Sequence, residues 1–378
     1  VEKRYLFTPG PTPVPPPVLA AMAEPMVHHR GADFRLVYER CLSRLQQVTR
    51  TESPVLLFAA SGTGAMESAV ANLPVPGERV AVVTAGAFGE RWAAMCEQYG
   101  LEVQRIAYEW GETPVPEEVG SAVAESGARV VFCTHSETST GVVSDVQALK
   151  AAVGEAVLVV DAISSLGAVP LETDAWGIDV VIGGSQKALM CPPGLATASV
   201  AERLFDGLPA ARTFYFDWRR ARKAQEVFDA AFTPAVSLIK GLDVALGMLL
   251  DAGLEARFEQ HVRLGRAARA GVKAMGLELF SPDDDASAVV TAVRVPDGVD
   301  GTELLRHLRD RHGVTLAPGQ GGLKGKIFRI GHIGWFDVFD IAAALAAVEL
   351  SLGELGADIE RGVAVTRAFE AYEQRVAV

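Results

Sequence analysis

The chain has 378 residues, a formal net charge of −12 and 49% hydrophobic residues. Its length suggests about two domains of roughly 100–200 residues each. The acidic balance argues against a duplex nucleic-acid binder, which needs a basic stripe, and no run reaches the ~18 uninterrupted apolar residues of a membrane span.

The first residues, Val1-Glu2-Lys3-Arg4-Tyr5, lead into FTPGPTPVPPP over 7–17 instead of an apolar signal core. Proline at that density predicts a stiff extended arm packed over a neighbouring domain or subunit. From residue 55 onward strands and helices alternate. Strands are expected at Val55–Phe58, Arg79–Thr84, Glu102–Ala107, Arg129–Thr134, Ala156–Val160, Ile178–Ile182 and Leu195–Val200, with helices after Ser61 and over 88–99. Continuous Val-rich runs separated by helices predict an α/β fold with a mostly parallel seven-stranded sheet covered on both faces.

Past residue 240 the pattern changes. Lys240–Ala274 reads as one long helix, Ala288–Val295 as a strand, Thr302–Arg311 as a helix and Ile327–Gly331 as a strand. Val338–Leu352 and Ile359–Gln374 read as helices. The expected division is an arm at 1–17, a large domain at 18–255 and a smaller C-terminal α+β domain at 256–378. Asp283-Asp284-Asp285 reads as a solvated turn. No metal site is expected, because the histidines show no ligand spacing and only His28-His29 are adjacent. Cys41, Cys96, Cys133 and Cys191 show no CxxC pair and read as reduced thiols, which with the missing signal core suggests a cytoplasmic protein.

Chemistry is suggested at the strand ends. Lys187, in Gly183-Gly184-Ser185-Gln186-Lys187, follows a buried strand on a turn of small residues. Burial or a nearby cation would lower its pKa and free the amine to form an imine with an aldehyde cofactor. Such a cofactor also needs an anion site, an acid for a ring nitrogen and an aromatic plate. Ser61-Gly62-Thr63-Gly64 opens a helix and suits a phosphate, although Ser61 could equally be an ordinary N-cap. Asp161 ends a strand and could hold a pyridine nitrogen protonated, or cap the turn at Ile163. Phe88 could stack on a ring or belong to the core. His135–Gly141 brings polar residues to the same sheet edge. Arg329, between apolar neighbours, suits a carboxylate that is either a substrate's or a structural Asp or Glu.

These motifs, with Thr8-Pro9-Gly10-Pro11, Asp161-Ala162-Ile163-Ser164-Ser165, Pro192-Pro193-Gly194 and Phe328-Arg329-Ile330-Gly331-His332, resemble the class V aminotransferases of pyridoxal 5'-phosphate fold type I. The branch is that of the alanine–glyoxylate, serine–glyoxylate and serine–pyruvate enzymes. The resemblance implies Lys187 as the imine lysine and Asp161 as the ring-nitrogen partner. It implies Ser61, Gly62, Thr63 and Gln186 around the phosphate, Phe88 and Ile163 on the two ring faces, and Thr138 near the ring oxygen. Arg329 and Gly10 would bind the substrate. It also implies a homodimer with active sites at the subunit interface, where many relatives contribute a tyrosine to the phosphate. Here Phe228–Pro234 occupies that region without a tyrosine, and Thr233 is the expected substitute.

The implied activity is ping-pong transfer of an amino group from a small amino acid, alanine or serine, to a 2-oxo acid such as glyoxylate or pyruvate. Aspartate as donor is one alternative. A lyase or desulfurase is a second, disfavoured because the last cysteine, Cys191, lies beside the lysine turn and not in a C-terminal loop. A non-enzymatic cofactor carrier is a third, against which Lys187, Asp161 and Arg329 together argue.

Overall fold

The computed structural model describes residues 3–283 and 286–374. Its centre is the expected seven-stranded sheet. From one edge the order is Val55–Phe58, Ala196–Val200, Val180–Gly184, Val157–Asp161, Val130–Thr134, Arg79–Thr84 and Glu102–Ala107. Ala196–Val200 runs antiparallel to both its neighbours, while the other pairings are parallel. Six strands therefore end on one edge, where open α/β sheets bind their ligands. Val130–Thr134 and Val157–Asp161 are buried at every position, which explains why they read as unbroken apolar runs and not as alternating strands.

Apolar cores lie on both faces. One holds Tyr38, Leu45, Val131, Leu158, Val181, Leu242 and Leu246. The other holds Met66, Val82, Trp92, Phe132, Val159 and Ile182. Successive residues of one strand, such as Leu158 and Val159, thus enter different cores, as a two-residue period requires.

The C-terminal residues pack around a further core. It gathers Leu264, Val293, Leu308, Phe328, Ile330, Leu345 and Val348, and it also takes Phe7 from the arm. Val290–Arg294 pairs antiparallel with Ile327–Gly331. Tyr5–Leu6 pairs parallel with Val314–Thr315, and Gly331 N–H donates to Phe7 O at 2.7 Å. A side chain at Gly331 would collide with the Thr8 carbonyl, so glycine is needed where the arm crosses. The arm therefore does pack over the C-terminal part.

Three expectations need correction. The helix read over Lys240–Ala274 is two helices, Val236–Ala252 and Leu254–Ala274. Gly253 separates them in a left-handed conformation, φ 83°, that a periodic apolar pattern does not reveal. The last helix covers only Ala364–Glu373, because Gly362 turns the chain at φ 81° before it. The proline-rich stretch is not extended to its end: Pro16 and Pro17 start the helix Pro16–Met22, whose first turn has no need of their missing N–H groups. Asp283 pairs with Arg269 at 2.6 Å and with Lys273, while Asp284 and Asp285 lie outside the described residues.

Candidate active site

The carboxyl ends of the parallel strands surround a cavity of about 230 Å³. Its walls include Gly10, Ser61, Gly62, Thr63, Phe88, Asp161, Ile163, Gln186 and Lys187. Nine of the residues expected from the sequence are thus brought together from five chain segments. Thr138, Arg329 and Thr233 are not among the lining residues. Thr233 lines a different pocket with Tyr215 and Phe232.

Lys187 follows the buried strand Val180–Gly184 and is itself buried. Its Nζ donates to the Pro9 carbonyl at 2.6 Å, so the proline arm supplies an acceptor for the amine. A side chain at Gly10, φ 134°, would overlap the end of Lys187, which explains the glycine there. Burial lowers the Lys187 pKa to about 8, with the Asp161 charge opposing and the Arg329 and Arg91 charges reinforcing the change. At pH 7.5 a pKa of 8 leaves about a quarter of the amine neutral, against ~0.1% for an ordinary lysine.

Asp161 ends its strand facing the same space. Its Oδ1 accepts the Ile163 N–H at 2.9 Å, so the turn-capping alternative is also true. The other carboxylate oxygen accepts from no described residue. Burial pushes the carboxyl up to about 7, while the Ile163 N–H lowers it. A cationic nitrogen at the free oxygen would hold this group ionised.

Ser61 precedes the helix Gly62–Asn72 but makes no capping hydrogen bond to it. Its hydroxyl and the N–H groups of Gly62 and Thr63 are therefore available to an anion, while Gly64 N–H donates to Ser61 O at 2.8 Å. A Cβ on Gly62 would strike Ile163, so only glycine lets these two walls approach each other. The buried Oε1 of Gln186 has no hydrogen-bond partner.

Two residues were missed in the sequence. Arg91 lies three positions after Phe88 on the helix Ala87–Gln98, and so on the same face. Its guanidinium carbon stands 4.7 Å from the Phe88 ring centroid, and its Nη1 donates to Thr63 Oγ1 at 3.1 Å. It lines the cavity without a carboxylate partner among the described residues. The i, i+3 spacing from Phe88 was the available signal. The other is Glu137, a buried carboxylate that accepts the N–H groups of Phe88 at 3.0 Å and Gly89 at 3.1 Å. It fixes the start of the helix that carries the aromatic plate. Only the folded chain places it there, across 49 residues.

Arg329 is 4% exposed, yet no described Asp or Glu pairs with it. Its Nε donates to Pro318 O at 2.9 Å and its Nη1 to Thr138 O at 2.6 Å. Two neutral carbonyls orient the guanidinium without cancelling its charge. Burial lowers its pKa to about 10, with the Glu137 charge opposing. A carboxylate arriving at this arginine gains a desolvated, pre-oriented partner.

The residues fit pyridoxal 5'-phosphate. A free anion-binding helix end, a half-free carboxylate and Arg91, which has no carboxylate partner among the described residues, line a cavity containing a lysine of lowered pKa.

The aminotransferase class-V family model matches residues 4–326. The chain is 41% identical to a protein named soluble hydrogenase, small subunit, from Synechococcus sp. (strain PCC 6716), over 94% of each chain. It is 36% identical to an L-aspartate–glyoxylate aminotransferase of Paracoccus denitrificans, covering 98% of this chain and 97% of the relative. It is 34% identical to a serine–glyoxylate aminotransferase of Methylorubrum extorquens, covering 97% and 95%. A solved structure of ureidoglycine–glyoxylate aminotransferase from Bacillus subtilis superposes with a TM-score of 0.94 at 30% identity, covering 99% of both chains. Cys41, Cys96, Cys133 and Cys191 are buried and unpaired, and desolvation pushes their thiols up.

Proposed function

The chain belongs to the class V aminotransferases, which makes it a pyridoxal 5'-phosphate-dependent transaminase; from this premise we propose that it moves an amino group from alanine or serine to glyoxylate or pyruvate. The observation that carries the reading is Lys187 Nζ, buried in the cavity with its pKa lowered to about 8, beside the half-free carboxylate of Asp161. Glyoxylate as acceptor is supported by the names of the aspartate-, serine- and ureidoglycine–glyoxylate enzymes. Aspartate is the second donor, favoured by the first of these names. Mixing the enzyme with each amino acid and following loss of the cofactor's visible band tests the donor. A response to none of alanine, serine and aspartate would sink this assignment.

The bound cofactor supplies an electron sink that makes the bonds at the substrate α-carbon labile. The chain's residues supply the rest. Lys187 Nζ takes the proton from the α-carbon, and its lowered pKa lets it both accept and return that proton near neutrality. Asp161 keeps a proton on the ring nitrogen. Ser61, Gly62, Thr63 and Gln186 would hold the phosphate, and Phe88 and Ile163 would flank the ring. Thr138 would serve the ring oxygen, and Gly10 and Arg329 would serve the substrate. Arg329 orients the substrate carboxylate and thereby selects which α-carbon bond is activated.

Arg329→Ala should raise the amino-acid KM by roughly 30- to 1000-fold, the equivalent of losing one partner of a buried charge pair. Cofactor affinity should hardly change. Steady-state kinetics with a parallel cofactor titration separates the two, and an unchanged KM would remove Arg329 from the substrate site.

Arg91 completes the phosphate site in this reading, because it is the unneutralised cation bonded to Thr63. Arg91→Ala should weaken binding of pyridoxal 5'-phosphate by about 10- to 100-fold, as expected for a charge-assisted hydrogen bond, and leave pyridoxal itself nearly unaffected. Equal loss for both ligands, read by fluorescence titration, would exclude a phosphate role.

The same reading makes the enzyme a homodimer. Exposed Phe214, tilted against Phe232 beside Thr233, supplies an apolar surface near the residue expected to reach the partner's phosphate. Sedimentation velocity would expose a monomer. The division at 1–17, 18–255 and 256–378 is supported by the separate C-terminal core. No helix of the described residues is long and apolar enough to cross a membrane. Cytoplasmic residence is supported by the four unpaired, buried cysteines; fractionation of cells would test it.

A further inference from the structure

We propose that His307, His312 and Glu354 form a divalent-cation site of the zinc type that ties together the ends of two helices in the C-terminal part. His307 and His312 belong to the helix Gly301–His312, and Glu354 ends the helix Val338–Glu354. The Nε2 atoms of His307 and His312 lie 2.6 Å and 3.1 Å from the same oxygen, Glu354 Oε2. The three ligand atoms lie within 4.8 Å of one another. Tetrahedral coordination with zinc–ligand bonds of about 2.0–2.2 Å places ligand atoms ~3.3 Å apart. Small side-chain rotations would therefore open this cluster to admit the ion.

Three features favour a cation over a simple ion pair. First, residues five apart on a regular helix point about 140° away from each other. Helical spacing alone thus does not bring both imidazoles to one oxygen. They converge at the last residue of the helix, just before Gly313 turns the chain in a left-handed conformation at φ 67°. Second, Glu354 has no lysine or arginine partner among the described residues. Imidazole is the commonest metal ligand. Third, Glu354 and His312 both stand at helix C-termini, where the macrodipole is negative and favours a cation. The side chains are partly exposed, 22% for His307, 20% for His312 and 39% for Glu354. Water can reach the fourth position. The set of two imidazoles and one carboxylate is a recognised zinc donor set. None of the three residues lines the active-site cavity, so the site would stabilise the C-terminal part and not take part in transamination.

The test is equilibrium dialysis of the cofactor-loaded enzyme against Zn²⁺, with metal and protein both quantified. The wild type should bind about one zinc per chain at micromolar free metal. His307→Ala, His312→Ala and Glu354→Gln should each weaken binding by at least ~10-fold, and the double histidine variant should abolish it, with transaminase activity unchanged in all. Zn²⁺ should also raise Tm by a few degrees in the wild type only, as binding to the folded state requires, and Co²⁺ should give the intense visible bands of tetrahedral coordination. No wild-type binding below millimolar zinc would overturn the proposal. So would one zinc per chain persisting in the double variant.

Discussion

Lys187→Ala is expected to lower kcat by about 10⁴-fold or more while leaving the protein folded. The upper range of general acid–base catalysis is ~10⁴, and Lys187 is the one amine among the residues lining the cavity. The other cation in that wall, Arg91, carries a guanidinium and no amine, so it cannot replace it as the base. Truncation removes a buried amine that donates to Pro9 O at 2.6 Å, so that carbonyl loses its donor and the arm should loosen modestly. Two measurements distinguish a lost base from a disturbed arm. Small amines added to the variant should restore part of the rate, with a slope that follows their basicity. Thermal stability should lose the pH dependence that Lys187 imposes. The sign follows from the lowered pKa. The unfolded lysine keeps its proton up to about 10.4, whereas the folded one releases it near 8. Between those values the unfolded state binds more protons, so the stability of the cofactor-free wild type, in which the Lys187 amine is free, rises with pH, and the cofactor-free alanine variant should lack that rise. A variant with kcat within tenfold of the wild type would remove Lys187 from the chemistry.

What the sequence made legible follows from the range of the forces involved. Strands buried on both faces, such as Val157–Asp161, are visible as apolar runs because each residue is dictated locally. The residues that follow those strands share one sheet edge by topology alone, which is why Ser61, Phe88, Asp161 and Lys187 could be grouped before any coordinates. Gly253 was invisible because a helix broken by one left-handed glycine keeps its apolar periodicity on both sides. Glu137 was invisible for a different reason. Its acceptors are satisfied by backbone N–H groups of a remote helix, and backbone donors leave no mark on composition. No described Asp or Glu pairs with Arg329, and such an absence can be read only in three dimensions.

The second large effect is expected at Asp161, where Asp161→Asn should lower kcat by about 10²- to 10³-fold, the usual cost of removing one preorganised electrostatic contact. The replacement is nearly isosteric, and an amide oxygen can still accept the Ile163 N–H, so the turn should survive. What disappears is the negative charge that holds a proton on the ring nitrogen. A purely structural role would instead predict little kinetic change together with lower stability. The pH dependence separates these cases. Burial raises the folded pKa of Asp161 to about 7, above the ~3.9 of an unfolded aspartate. Between those values the folded state binds more protons. The stabilising contribution is therefore complete below about pH 4 and is lost as pH rises toward 7. Cofactor-free wild type should show this decline in thermal stability, and the asparagine variant should not. The cofactor-loaded wild type should also be spared, because a protonated ring nitrogen at the free oxygen compensates the buried charge. Equal slopes for loaded and cofactor-free wild type would mean that Asp161 does not face the ring nitrogen, whatever the kinetic effect of the substitution.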